Sequence, residues 1–454
     1  MRLPTGRQGL GTEKQALQRG SFMKILRIGE EGFNRYLSRV EGRMVQDGLH
    51  LEREVRPILE DVRKRGDRAV VHYTQVFDGL RIPIHDLQVK RSEVKEAYRK
   101  VPRDFLGTLK KAAQRIQKFH QLLSKRLTLS LKLVEKGTRL EQVIRPLERV
   151  GIYVPGGKAS YPSTVFMAAI PGKVAGVQEI FMVTPPQKEG ISPAVLVAAD
   201  LAGVDRIYRI GGVQAIAALA YGTKSVPKVD KIVGPGNQYV AAAKRCVHGE
   251  VDIDMVAGPS EIVIVSDESM PPSFVAADLI SQAEHDEMAL AILITHSEAL
   301  GRMVKKEVER QLSSLRRRNV AAESLDRRGA ILIVKNLEQA IQLVNRIAPE
   351  HLELLVSRPF SLIKGVRHAG AVFLGPYTPE AIGDYLAGPN HILPTAGTAR
   401  FSSSLSVEDF IKRTNVVSFT RRALGRFEKD VKRFSEWEGL EGHYRAVQVR
   451  MKSS

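Results

Sequence analysis

Apolar positions fall into successive regimes along the chain. Between 45 and 130 they recur every three to four residues, as in Val55-Arg-Pro-Ile-Leu-Glu-Asp-Val62 and Phe105-Leu-Gly-Thr-Leu-Lys-Lys-Ala112, which is the period of amphipathic helices. From about 143 the pattern changes. Short β-branched runs at 151–154, 179–184, 206–210 and 231–233 alternate with helical stretches at 163–175, 192–202, 213–221 and 238–248. A second series of expected strands follows at 261–265, 289–295, 330–334, 352–356 and 371–374, again with helices between. Regular strand–helix alternation predicts parallel sheets covered on both faces. The fold class expected is therefore α/β, with two doubly wound, Rossmann-like lobes and helical segments at both ends. The last 45 or so residues read as helical and basic, and they are too short for a core of their own.

A chain of 454 residues exceeds one ordinary core, which agrees with two lobes. The expected division is 1–22 as a disordered extension, 23–44 as an N-terminal segment, 45–152 with 259–405 as the main lobe, 153–258 as the second lobe, and 406–454 as a C-terminal helical tail. Residues 1–22 carry Arg2, Arg7, Lys14 and Arg19 without an apolar stretch, so they do not read as a secretory signal. Met23 is a plausible native start. With 43% hydrophobic residues the chain is globular, and its apolar run from Pro193 is broken by Asp200, so no membrane partner is expected.

Cys246 is the single cysteine, which excludes an internal disulfide framework and multi-thiolate metal sites and suits a reducing cytoplasm. The net charge of +19 raises the question of nucleic acid. However, Arg316-Arg-Arg318 and the basic stretch 421–433 are not interleaved with aromatics, and only 6% of residues are aromatic, so a solvated basic surface is the better reading. A basic binding protein on an α/β scaffold is the rival reading from outside the enzymes.

Gly156-Gly157, Gly211-Gly212 and Gly234-Pro-Gly236 each follow an expected strand, yet none completes G-x-G-x-x-G or a P-loop. By spacing alone they are ordinary turns, although open α/β sheets do bind ligands at such positions. The chemistry concentrates in four fragments: Ile280-Ser-Gln-Ala-Glu-His-Asp286, Pro349-Glu350-His351, Gly383-Asp384-Tyr-Leu-Ala-Gly-Pro-Asn-His391, and Glu438-Gly-Leu-Glu-Gly-His443. Gln282 and His285 stand three apart at the end of a helical pattern and emerge on one face. A histidine titrating near neutrality suits proton removal from an alcohol. Adjacent strand residues point to opposite faces, so Glu350 and His351 serve one site only if the chain bends at Pro349. Singly, Ser260 reads as a turn hydroxyl, Glu438 and His443 as solvated helix residues, and Asp384 as a cap.

Together with Val150-Gly-Ile-Tyr-Val-Pro-Gly-Gly157, Val233-Gly-Pro-Gly-Asn237 and Asp254-Met-Val-Ala-Gly-Pro-Ser-Glu261, these fragments resemble the histidinol dehydrogenase family from about 25 to 450. The resemblance implies zinc- and NAD-dependent oxidation of L-histidinol to L-histidine through the aldehyde. It implies Glu350 and His351 as catalytic residues, and Tyr153, Gln214 and Asn237 as NAD contacts. It places Gln282, His285, Asp384 and His443 on one zinc ion per subunit. Ser260, His391 and Glu438, with His351 and the four zinc ligands, are implied as substrate contacts. It also favours a homodimer in which the C-terminal tail serves the partner. A relative acting on another small diol or hydroxy compound is the alternative within the enzymes.

Overall fold

The computed structural model describes residues 22–43, 48–127, 131–156 and 160–452. Residues 1–21, where nearly all of the expected extension falls, lie outside them. The strands in chain order are β1 (Lys24–Arg27), β2 (Lys132–Glu135), β3 (Thr138–Pro146), β4 (Arg149–Tyr153), β5 (Glu179–Val183), β6 (Arg206–Tyr208), β7 (Lys231–Val233), β8 (Asp252–Ile253), β9 (Glu261–Ser266), β10 (Leu290–Thr295), β11 (Ala330–Ile333), β12 (His351–Leu355), β13 (Ala371–Leu374) and β14 (Ile411–Phe419).

β9 and β10 are buried at every residue and read Glu-Ile-Val-Ile-Val-Ser and Leu-Ala-Ile-Leu-Ile-Thr. Near-continuous apolar runs are what a parallel strand needs when helices cover both of its faces. These strands sit inside a six-stranded parallel sheet of order β1-β11-β10-β9-β12-β13. A smaller parallel sheet has the order β6-β5-β4-β7-β8. Each sheet separates two apolar clusters, so both lobes are doubly wound as expected.

The partition of the chain between the lobes differs from the sequence reading. Helices Gly48–Arg65 and Asp67–Asp78 pack against Gly212–Tyr221, while Arg103–Leu127 packs against Pro162–Ala175. The segment 48–127 therefore covers the smaller sheet instead of joining 259–405, and that sheet itself begins at Arg149. Amphipathic spacing shows that a helix buries one face; it does not say against what.

The expectation of an all-helical tail is also corrected. β14 pairs antiparallel with β3 along its full length, from Ile411 opposite Pro146 to Phe419 opposite Thr138, and β2 completes a three-stranded sheet. Lys136 and Gly137 connect β2 to β3 with φ of 44° and 85°, a two-residue turn with both central residues left-handed. After β14 the tail is helical at Arg421–Gly425, Glu428–Glu438 and Glu441–Lys452.

Candidate active site

The larger sheet reverses direction of growth between β9 and β12. Ligands usually bind beyond the carboxyl ends of strands at such a point. Here the chemical groups gather at the opposite, amino ends. Glu350 stands at a bend just before β12, after Ala348 adopts φ 49°. That bend answers the facing problem: the His351 Nδ1 and Glu350 Oε2 atoms lie 3.7 Å apart, both side chains being buried.

The start of β9 pins both. The Glu261 N–H donates to Glu350 Oε2 at 2.8 Å, and the Glu261 carbonyl lies 2.9 Å from His351 Nδ1. A carbonyl only accepts, so Nδ1 carries the proton and Nε2 is left as the bare acceptor. Gln282 Oε1, at 3.0 Å from the same Nδ1, adds a second acceptor. Glu261 is held in turn by Arg43, whose Nε and Nη2 reach its carboxylate at 2.5 and 2.8 Å and whose Nη2 also donates to the Ile347 carbonyl at 2.9 Å.

On the other side of the imidazole, Nε2 lies 3.7 Å from Glu380 Oε1, and His351, Glu380 and Asp384 offer ligand atoms all within 4.8 Å of one another. Asp384 sits on the short helix Glu380–Tyr385. His391 Nδ1 is 3.0 Å from the Asp384 carbonyl and 3.3 Å from its Oδ1, and His391 Nε2 lies 3.5 Å from Thr164 Oγ1. Thr164 belongs to the helix that follows β4, so this histidine joins the two lobes.

Burial pushes the Glu350 carboxyl well above its ordinary range, and it lowers His351 to about 4. Burial, and then the nearby Asp384 charge, pushes Glu380 up to about 9. For Asp384 burial acts upward, but the imidazoles of His391, His351 and His285 outweigh it and hold the group at about 2. The carboxyls of Glu380 and Asp384 beside the His351 imidazole, with a buried Glu380 oxygen left without a partner and the Gln282 amide oxygen close by, form an N/O donor set that fits a divalent cation.

The structure thus brings Glu350, His351, Gln282, Asp384 and His391 together. His285 follows the helix Pro272–Ala283 and is exposed, yet it acts electrostatically on both His351 and Asp384. Ser260 directly precedes Glu261, and its carbonyl accepts from the Leu290 N–H at 2.9 Å. Glu438 and His443 are not brought in; both are exposed on the tail, and His443 falls outside the cluster of candidate ligands.

Sequence reading passed over Glu380, Glu353 and Arg43. Glu353 is fully buried two residues after His351 on the same strand face, and its Oε1 accepts from the Glu380 N–H at 2.7 Å. A carboxylate inside a strand buried on both faces was the available signal.

The three expected nucleotide contacts gather at the carboxyl end of the smaller sheet, which reverses between β4 and β7. The Gly212 N–H donates to the Tyr153 hydroxyl at 3.1 Å. Gln214 is fully buried with both amide atoms unpartnered, and its Oε1 is packed so close to Gly212 that an added Cβ would stand 2.9 Å away. Asn237 caps the helix Gln238–Val247 through the N–H groups of Tyr239 and Val240. The turn before it is clamped by Asp254, which accepts from the Gly234 N–H at 2.7 Å and pairs with buried Lys244. Cys246 is half-buried in that helix, and burial raises its thiol, which makes it a poor nucleophile.

A buried imidazole–carboxylate pair on one doubly wound sheet, joined through His391 to a helix of the second, defines an α/β enzyme suited to proton abstraction. Comparison with known proteins narrows this. The family model for histidinol dehydrogenase matches residues 42–451. The histidinol dehydrogenase of Syntrophotalea carbinolica is 52% identical over 432 residues, covering 95% of this chain and 100% of that protein. The corresponding protein of Bacillus cereus is 54% identical over 400 residues, 88% of this chain and 92% of its own. The crystal structure of histidinol dehydrogenase from Elizabethkingia anophelis superposes with a TM-score of 0.88 at 36% identity, covering 95% of this chain and 98% of that one.

The chain belongs to the histidinol dehydrogenase family. It is an oxidoreductase of histidine biosynthesis, acting at the final step, from L-histidinol to L-histidine, and the alternative of another small diol is not favoured. Among the described residues no helix is long and apolar enough to cross a membrane.

Proposed function

We propose that the enzyme carries out this four-electron oxidation in two steps at one site, with zinc and NAD, on a histidinol molecule held until the acid is formed. The observation that carries the reading is the orientation of His351. Its Nδ1–H is committed to the Glu261 carbonyl, so its Nε2 is presented as a base toward Asp384 and Glu380. Gln282, His285 and Asp384 would hold the metal from one subunit, with His443 of the partner subunit as the fourth protein ligand. Bound there, zinc would supply a Lewis acid to hold and orient the amino alcohol.

In the first oxidation His351 Nε2 takes the hydroxyl proton, and NAD, when bound, would supply the hydride acceptor. Glu350 then takes a proton from the water that adds to the aldehyde, and loss of a second hydride gives the acid. One water and two NAD are consumed per histidinol. Ser260, His391 and Glu438 of the partner subunit contact substrate in this reading, the last offering a carboxylate to a cationic or imidazole-bearing molecule. Tyr153, Gln214 and Asn237 receive NAD, supported by their place at the reversal of the smaller sheet.

The dimer is supported by the tail. Nearly every residue of β14 and most residues of the two long tail helices are solvent-exposed in the single chain, with Trp437 at 93% and Phe434 at 69% exposure. Apolar groups of that size gathered on one exposed element need a covering surface. A second copy whose site lacks a ligand supplies one. A cytoplasmic place of work suits the lone free cysteine.

The division of labour is tested with Glu350→Gln, assayed separately on histidinol and on histidinal. Oxidation of the aldehyde is expected to fall about tenfold or more beyond that of the alcohol, since only the second step needs an activated water. Equal losses in both half-reactions would remove Glu350 from that role.

A further inference from the structure

The helices Asp67–Asp78 and Gly212–Tyr221 run antiparallel. Asp67 fixes one end of the pair, accepting from the Ser225 hydroxyl at 2.8 Å and the Ser225 N–H at 3.3 Å just beyond the second helix. Asp78 therefore falls at the end of the pair where Gly212 begins the second helix and where the Tyr153 hydroxyl is held. The Asp78 carboxylate is near enough to act electrostatically on Tyr153. Its Oδ2 is buried and has no hydrogen-bond partner, and one turn earlier the fully buried Thr74 hydroxyl has none either.

Tyr153 and Gln214 thus meet at Gly212, and on Gln214 and Asp78 buried atoms wait for a partner. Burial pushes the Asp78 carboxyl up to about 6, and the Gly212 N–H is already taken by Tyr153. A buried oxygen left this way costs free energy unless a ligand or water satisfies it. Open α/β nucleotide sites usually carry an acid at the end of the second strand to hold the ribose hydroxyls. Here β5 is followed by Thr184-Pro185-Pro186, and Glu189 farther on is exposed.

We propose that Asp78 takes the place of that acid: its carboxylate accepts hydrogen bonds from a ribose diol of the dinucleotide and disfavours a 2′-phosphate at the same position. It is a specificity-determining residue contributed from a helix outside the sheet. This inference rests on the reading of Tyr153, Gln214 and Asn237 as the nucleotide site. Tyr153 fixes the turn, Gln214 contacts the nucleotide beside it, and Asp78 sets which nucleotide is preferred.

The test is histidinol oxidation by the full-length enzyme with NAD and with NADP varied, comparing wild type, Asp78→Asn, Asp78→Ser and Gln214→Ala, with dinucleotide affinities measured by calorimetry on the same preparations. Both Asp78 variants are expected to raise the KM and Kd for NAD about 10- to 100-fold, the scale of a lost charge-assisted hydrogen bond, while the NAD-over-NADP preference in kcat/KM narrows by about tenfold or more. The KM for histidinol should not follow. If Gln214→Ala weakens NAD and both Asp78 variants leave affinity and preference unchanged, the role of Asp78 is wrong and the site stands. If all three leave NAD affinity unchanged, the nucleotide binds elsewhere and both readings fall. A loss confined to kcat, or a lowered melting temperature with native NAD affinity, would make Asp78 a structural residue and overturn the proposal.

Discussion

His351→Asn is expected to lower turnover by about 10²- to 10⁴-fold, the usual contribution of a general base, while the protein keeps its zinc. Asparagine is the informative replacement. Its amide N–H can still donate to the Glu261 carbonyl, which His351 Nδ1 meets at 2.9 Å, so the local packing is largely preserved. What it cannot offer is a basic atom where Nε2 now faces Glu380 and Asp384. His285→Asn is expected to behave oppositely. It deletes a proposed metal ligand, so zinc content should fall first and activity with it, restored in part by excess zinc. Metal analysis and single-turnover rates on the two purified variants separate the roles. Loss of zinc from His351→Asn, or full zinc in an inactive His285→Asn, would exchange or abolish the assignments.

The second large effect concerns the tail. Glu438 and His443 are exposed in one chain, and the β14–β3 ribbon that leads to them is itself poorly covered. Each single variant, His351→Asn or His443→Asn, should be nearly inactive alone. Subunits mixed and allowed to exchange should regain activity, because a tail that crosses over gives each mixed dimer one site with both lesions and one with none. With random exchange about half of the dimers are mixed, so roughly a quarter of wild-type activity is the expected ceiling. If each tail serves its own subunit, every site keeps one lesion and no mixture recovers, even with mixed dimers present.

Most of the parallel architecture was legible because strands covered on both faces cannot hide their composition. The runs at 261–265 and 289–295 are apolar nearly throughout, and they appear as β9 and β10 with shifts of a residue at their ends. The antiparallel ribbon was not legible. Ile411-Lys-Arg-Thr-Asn-Val-Val-Ser-Phe419 has no buried face to impose alternation, and its strand character comes from pairing with a segment far away in sequence. Assignment of 48–127 to a lobe failed for a related reason, since the helical period carries no information about the surface it meets.

In the candidate site, Glu350 and His351 were singled out through their surrounding string, while their adjacency argued against them until the bend at Ala348–Glu350 set both against the start of β9. Glu353, Glu380 and Asp78 are single carboxylates whose meaning depends on burial. Arg43 was invisible because its partner, Glu261, lies 218 residues farther along the chain. A sequence shows charge; it does not show which charges have lost their water.

The account stands or falls on whether one active site performs both oxidations. Purified enzyme, limiting L-histidinol and excess NAD should yield two NADH per histidinol consumed, with L-histidine as the product and no free aldehyde. One NADH per histidinol, with the aldehyde accumulating in solution, would contradict it.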